Sequence, residues 1–143
     1  MVHAADGLLI DKNGKIVLIQ RKGDTFYNFW AIPGGVVEED ETIEEALIRE
    51  MKEETGVDVE PKEILGIFSD PERDPRGRVI STVFICDYSG ALRAGSDAGR
   101  IRVCTVNEAL ELDLAFDHHF VIRCYQQWLN YKGTYWSRKT VRH

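Results

Sequence analysis

Three glutamates spaced about a helical turn apart, Glu50, Glu53 and Glu54, constrain this chain more than any other feature. The segment from Thr42 to Thr55 reads as a helix: Thr42 or Glu41 gives it a polar start, alanine and leucine fill its interior, and Gly56 stops it. With about 100° of rotation per residue, positions i, i+3 and i+4 fall within one sector of a helix surface. Like charges stacked there repel one another, and a solvated helix face explains the stacking poorly. A hard divalent cation explains it directly, because magnesium favours carboxylate and water oxygens and bridges to phosphate. Arg49 can pair with Glu53 one turn later and hold it in place; the plainer alternative is an ordinary surface ion pair. Just upstream, Pro33-Gly34-Gly35 leaves the main chain bare, so a carbonyl or amide there can reach a metal or a phosphate oxygen.

Around that helix the pattern is mixed. Ala4 to Ile10 and Lys15 to Gln20 are apolar runs joined by Asp11-Lys12-Asn13-Gly14, which predicts a hairpin. Strands are expected over Val57 to Phe68, Val79 to Tyr88 and Ile101 to Val106, with a polar, proline-rich loop from Ser69 to Gly77 between the first two. A last helix should start with Asp117 as cap and run to about Tyr131, burying Phe120, Val121, Cys124, Tyr125 and Trp128. Interleaved strands and helices with a hairpin signal predict an α/β fold, a mixed sheet sandwiched between helices. At 143 residues the chain has room for one such domain, assigned to residues 1–131, with a basic, aromatic tail at 132–143.

Composition narrows the setting. A net charge of −6 argues against sequence-independent nucleic-acid binding, which needs a basic surface. No segment has the length and apolarity of a membrane span, and Met1-Val2-His3-Ala4-Ala5-Asp6 has no secretion-signal pattern. Cys86, Cys104 and Cys124 are odd in number and lack C-x-x-C spacing, as expected of buried thiols in a reducing cytoplasm.

Gly35, Glu41, Arg49, Glu50, Met51, Glu53, Glu54, Gly56 and Val57 match the pattern G-x5-E-x7-R-E-U-x-E-E-x-G-U, U being bulky and apolar, so the chain resembles the Nudix hydrolases at every fixed position of their box. The resemblance implies an α/β/α sandwich with a central mixed sheet and Mg2+ held by Glu50, Glu53 and Glu54, with Mn2+ able to substitute. It also implies that the Gly35 carbonyl assists and that Glu41 and Arg49 brace the motif. The implied reaction is attack of water on one phosphorus of a pyrophosphate, with Glu53 or Asp97 as candidates to accept the proton. For Asp97 a simple turn role is the alternative.

The substrate lies outside the box. Ser69-Asp70-Pro71 with Arg73-Asp74-Pro75-Arg76, then Ala94-Gly95-Ser96-Asp97-Ala98 and Phe116-Asp117-His118, resemble segments of prokaryotic ADP-ribose pyrophosphatases, which implies ADP-ribose as a small nucleotide substrate. Arg73, Arg76 and Arg78 are then candidates for phosphate or ribose, or Arg73 and Arg76 pair with Asp70 and Asp74 to shape the loop. Tyr27 is the candidate in the Phe26 to Trp30 cluster to stack on adenine. His118 and His119 read as capping or packing residues. A nucleoside triphosphate pyrophosphatase of the MutT kind and a non-cleaving nucleotide sensor are the rival readings. The tail is left open as disordered, as a homodimer contact or as a surface for another partner.

Overall fold

The computed structural model describes residues 1–96 and 98–141. Its elements are β1 (Val2–Leu9), β2 (Ile16–Arg21), β3 (Trp30–Ala31), β4 (Gly34–Val36), α1 (Ile43–Thr55), β5 (Asp58–Phe68), β6 (Val79–Ser89), β7 (Ala98–Cys104), α2 (Val106–Leu110), α3 (His118–Asn130) and β8 (Tyr135–Trp136). One sheet runs β4-β1-β6-β5-β8 and a second β3-β2-β7. In the larger, β1 lies parallel to β6, while β4 on β1 and β5 on β6 are antiparallel, so the expected mixed sheet is present.

Alternation along β1 and β6 assigns the two faces. Ala5 and Leu9 with Phe84 and Cys86 pack with Ala46, Leu47 and Met51 of α1. Leu8 with Val83 and Ile85 packs with Val121, Ile122, Cys124 and Tyr125 of α3. Strands covered on both sides read as unbroken apolar runs, which is why their period is faint in sequence. At Gly7 a Cβ would sit 3.2 Å from Leu47 and Met51, so the missing side chain lets α1 lie close against β1. All three cysteines are free and buried, as expected. No helix among the described residues is long and apolar enough to cross a membrane.

α1 begins at Thr42 through a capping box with Glu45 and ends at Gly56 in the left-handed conformation, φ 77°. Thr105 and Glu108 repeat that box and open α2, so the expected strand to Val106 stops instead at Cys104. α3 follows Asp117, yet the Asp117 side chain caps nothing. Arg73 has taken its carboxylate, through Nε at 3.0 Å and Nη2 at 2.8 Å.

The hairpin is corrected. Both strands form, and the Asp11 carboxylate accepts the Asn13 and Lys15 amides as the turn signal requires. Pairing between them stops at one bridge, Ile10 to Ile16. A strand has two edges, and β6 occupies one edge of β1 throughout while β4 takes part of the other, so β2 leaves for the second sheet and pairs with β7. In the tail, Tyr135 is buried, and β8 adds in parallel to β5 at Gly66 and Ile67.

Candidate active site

Arg49 is the hub of α1. Its Nε and Nη2 donate to the two Glu41 carboxylate oxygens at 2.6 and 2.8 Å, Nη1 donates to Glu50 at 2.8 Å, and Nη2 also reaches the Val36 carbonyl at 3.1 Å. The expected bond to Glu53 is the longest, 3.4 Å. The guanidinium fork beside Glu41 holds that carboxyl down at about 2. Arg49 therefore ties the loop before the helix to the helix itself, and fixes Glu50 more firmly than Glu53.

The glycines explain themselves by what passes them. A Cβ on Gly35 would overlap the Glu50 carboxylate, and one on Gly34 would overlap the Asp6 carboxylate and the Ala5 carbonyl. Glu54 points inward. The Gly34 amide supports it, but Oε2 is buried with no hydrogen-bond partner. Burial, then the neighbouring Glu50 and Asp6, push its carboxyl up to about 8. Asp6, which sequence reasoning did not single out, accepts from the Ser81 hydroxyl and is pushed up to about 6, mainly by burial. Among the described residues no three acidic, histidine or cysteine side chains already close on one point. Glu50 turns to Arg49, Glu54 turns inward, and the Glu53 side chain stays 59% exposed. An orphaned, buried carboxylate oxygen beside a second acid is nonetheless what a hard cation would satisfy, so this set of oxygen donors fits a divalent ion.

Asp6, Gly34, Gly35 and Glu54 line a cavity of about 510 Å³ that also takes in Arg73, Arg76 and Arg78, so the box and the loop arginines meet across one space. Arg73 is buried on Asp117 and not on Asp70, which pairs with Arg138; Arg76 does pair with Asp74, at 2.9 Å. Tyr27 is not brought to the cavity: it is 57% exposed, with Lys22 5.5 Å from its ring centroid. The aromatic ring on the wall is Phe116, with the Arg21 and Arg76 guanidiniums 4.7 and 5.5 Å from its centroid. His118 also lines the space, and its Nδ1 accepts the Ile32 amide at 3.0 Å, a buried packing role. Asp97 lies outside the described residues.

A model of the Nudix domain matches residues 2–124. The chain belongs to the Nudix family. An ADP-ribose pyrophosphatase of Methanocaldococcus jannaschii is 49% identical over 128 residues, 89% of this chain and 74% of that protein. An ADPR-responsive transcriptional repressor of Acinetobacter baylyi is 31% identical over 125 residues, covering 85% of this chain and half of the repressor. Among solved structures, the Nudix domain of Shewanella oneidensis NrtR in complex with ADP-ribose superposes with a TM-score of 0.78 at 25% identity, over 90% of this chain and 88% of that one. With all four box glutamates in place and a 49% identical pyrophosphatase relative, the chain is a Nudix hydrolase, and Nudix hydrolases use divalent metal ions. Within the Nudix box, Glu41, Arg49 and Glu50 form one braced unit, and Glu54 is the carboxylate that turns inward. Asp6 had no sequence signal beyond its being a lone acid in an apolar strand.

Proposed function

We propose that this Nudix hydrolase cleaves the pyrophosphate of ADP-ribose to AMP and ribose 5-phosphate, using Mg2+ with Mn2+ able to substitute. The observation that carries the reading is the mixed charge of one cavity. Carboxylates of the metal-binding kind and three loop arginines face the same space, as a substrate with two bridged phosphates and a second ribose requires. The name of the 49% identical relative and the ADP-ribose bound to the structural neighbour support the choice of nucleotide.

In this reading Glu50, Glu53 and Glu54, with the Gly35 carbonyl, hold the cation. When bound it would neutralise phosphate oxygens and acidify a water molecule. Arg49 and Glu41 fix the position of Glu50. Glu53, exposed and only weakly held, is free to accept the proton of the attacking water, and Asp97 is the other candidate for that step. Arg76, which also pairs with Asp74, and Arg78 line the cavity and in this reading contact phosphate or terminal ribose, whereas Arg73 is committed to Asp117 and shapes the wall. We assign Phe116, in place of Tyr27, to apolar contact with base or ribose. Three buried free thiols suit a cytoplasmic setting.

The test is a panel of ADP-ribose, NADH, diadenosine polyphosphates and normal and oxidised deoxynucleoside triphosphates with Mg2+, products identified by mass. ADP-ribose should be consumed fastest, with AMP and ribose 5-phosphate formed in equal amounts. Rapid turnover of a triphosphate with ADP-ribose untouched would replace this reading with the triphosphate one. Tight ADP-ribose binding without turnover would make the protein a sensor.

A further inference from the structure

After α3 the chain returns to the sheet, and β8 seats so closely on β5 that a Cβ at Gly66 would collide with the Tyr135 carbonyl. A turn closed by the Lys139 amide on the Trp136 carbonyl, 3.2 Å, then sets Arg138 at φ 67°, a conformation unfavourable for a residue with a side chain. That turn presents the Ser137 hydroxyl oxygen to two backbone donors at once, the Ser69 amide at 2.8 Å and the Asp70 amide at 3.1 Å. Beside it, Arg138 Nε donates to Asp70 Oδ2 at 3.2 Å. Asp70 in turn organises the start of the arginine loop: its Oδ1 accepts the Glu72 amide and its carbonyl accepts the Arg73 amide. Arg73 lines the cavity from there, locked on Asp117. Every tail residue in this chain of contacts lies beyond residues 2–124, the part that matches the family model.

We propose that Ser137 is a positioning residue for nucleotide binding: the 134–139 segment clamps the first turn of the 69–78 loop, and through it sets where the cavity's arginines stand. The proposal takes ADP-ribose as the substrate, as argued above. Ser137 touches neither the box carboxylates nor the cavity, so its removal should weaken ground-state binding and leave the chemical step alone.

The experiment measures kcat and KM for ADP-ribose with Mg2+, and amide hydrogen exchange over residues 69–73, in the wild type, Ser137→Ala, Ser137→Thr and Arg138→Ala. Loss of one acceptor shared by two backbone donors should raise KM about tenfold in Ser137→Ala with kcat within about twofold, and speed exchange at Ser69 and Asp70. Ser137→Thr keeps the hydroxyl and should restore both. Arg138→Ala, at an exposed position, should give a smaller KM rise and faster exchange, and it serves if Ser137→Ala does not fold. Unchanged KM and unchanged exchange, a fall in kcat at constant KM, or failure of threonine to restore either would overturn the clamp. A wild-type protein that leaves ADP-ribose intact would instead sink the substrate assignment, and the exchange rates would still decide for or against the clamp.

Discussion

Glu54 combines burial, an unpartnered oxygen and two acidic neighbours, and its carboxyl is pushed from its ordinary 4.5 up to about 8 as a result. Because the folded state binds this proton more tightly than the unfolded chain does, the stability it contributes is present below pH 4.5 and lost as pH rises through 8, on the order of a few kcal/mol. Cation-free protein should therefore melt lower as pH rises from 5 to 8.5, and Mg2+ should raise the melting temperature more at pH 8.5 than at pH 6. Glu54→Gln should melt higher than wild type in chelator at pH 8 and gain less from Mg2+; equal Mg2+ shifts in both proteins would remove Glu54 from the metal site. His118 works in the opposite sense. Burial pushes its ring from 6.5 down to about 4, so its contribution is present above pH 6.5 and lost as pH falls through 4. Against His118→Gln, which keeps an acceptor for the Ile32 amide, the wild type should lose relative stability over that window in urea titrations. A constant difference from pH 7 to pH 4 would show that the ring is not held neutral.

At the scale of the element, α1 is a scaffold whose precision comes from Arg49. Lysine keeps the charge but has no planar fork, so Arg49→Lys cannot serve Glu41 at two oxygens and still hold Glu50. Loss of such an orienting contact should lower turnover about 10- to 100-fold with the fold retained in circular dichroism. Near-normal turnover would mean the brace is dispensable. Much of this element was legible beforehand: the cap at Thr42 and the stop at Gly56 follow from residue type, and the spacing puts the three glutamates in one sector of the helix, although their carboxylates turn apart. The direction of Glu54 was not, because burial at that position is decided by β1 and its Asp6, far away in sequence. The same limit explains the hairpin. Two apolar runs and a turn identify two strands, but they do not say that β6 and β4 will claim the edges of β1. It also explains Tyr27, since an aromatic cluster gives no sign of which ring faces a cavity built by residues as distant as Arg76 and Phe116.

Across the whole molecule, the fold brings Glu54 of α1 and the arginines of the 69–78 loop to one cavity with Asp6 of β1 and Phe116, and Ser137 of the tail accepts a hydrogen bond from that loop. The box is legible from sequence alone, since its residues form one continuous segment from Gly35 in β4 through α1 to Val57. The rest of the cavity wall is assembled from segments such as β1, the 69–78 loop and the stretch before α3, so only its separate pieces were visible. The central claim, that this cavity hydrolyses ADP-ribose through the α1 carboxylates, is tested most directly by kcat/KM for ADP-ribose with Mg2+ in wild type and Glu54→Gln, both shown to be folded. The wild type should yield AMP and ribose 5-phosphate, and the variant should lose activity by about three orders of magnitude. Comparable rates in the two proteins, or no cleavage by the wild type, would contradict it.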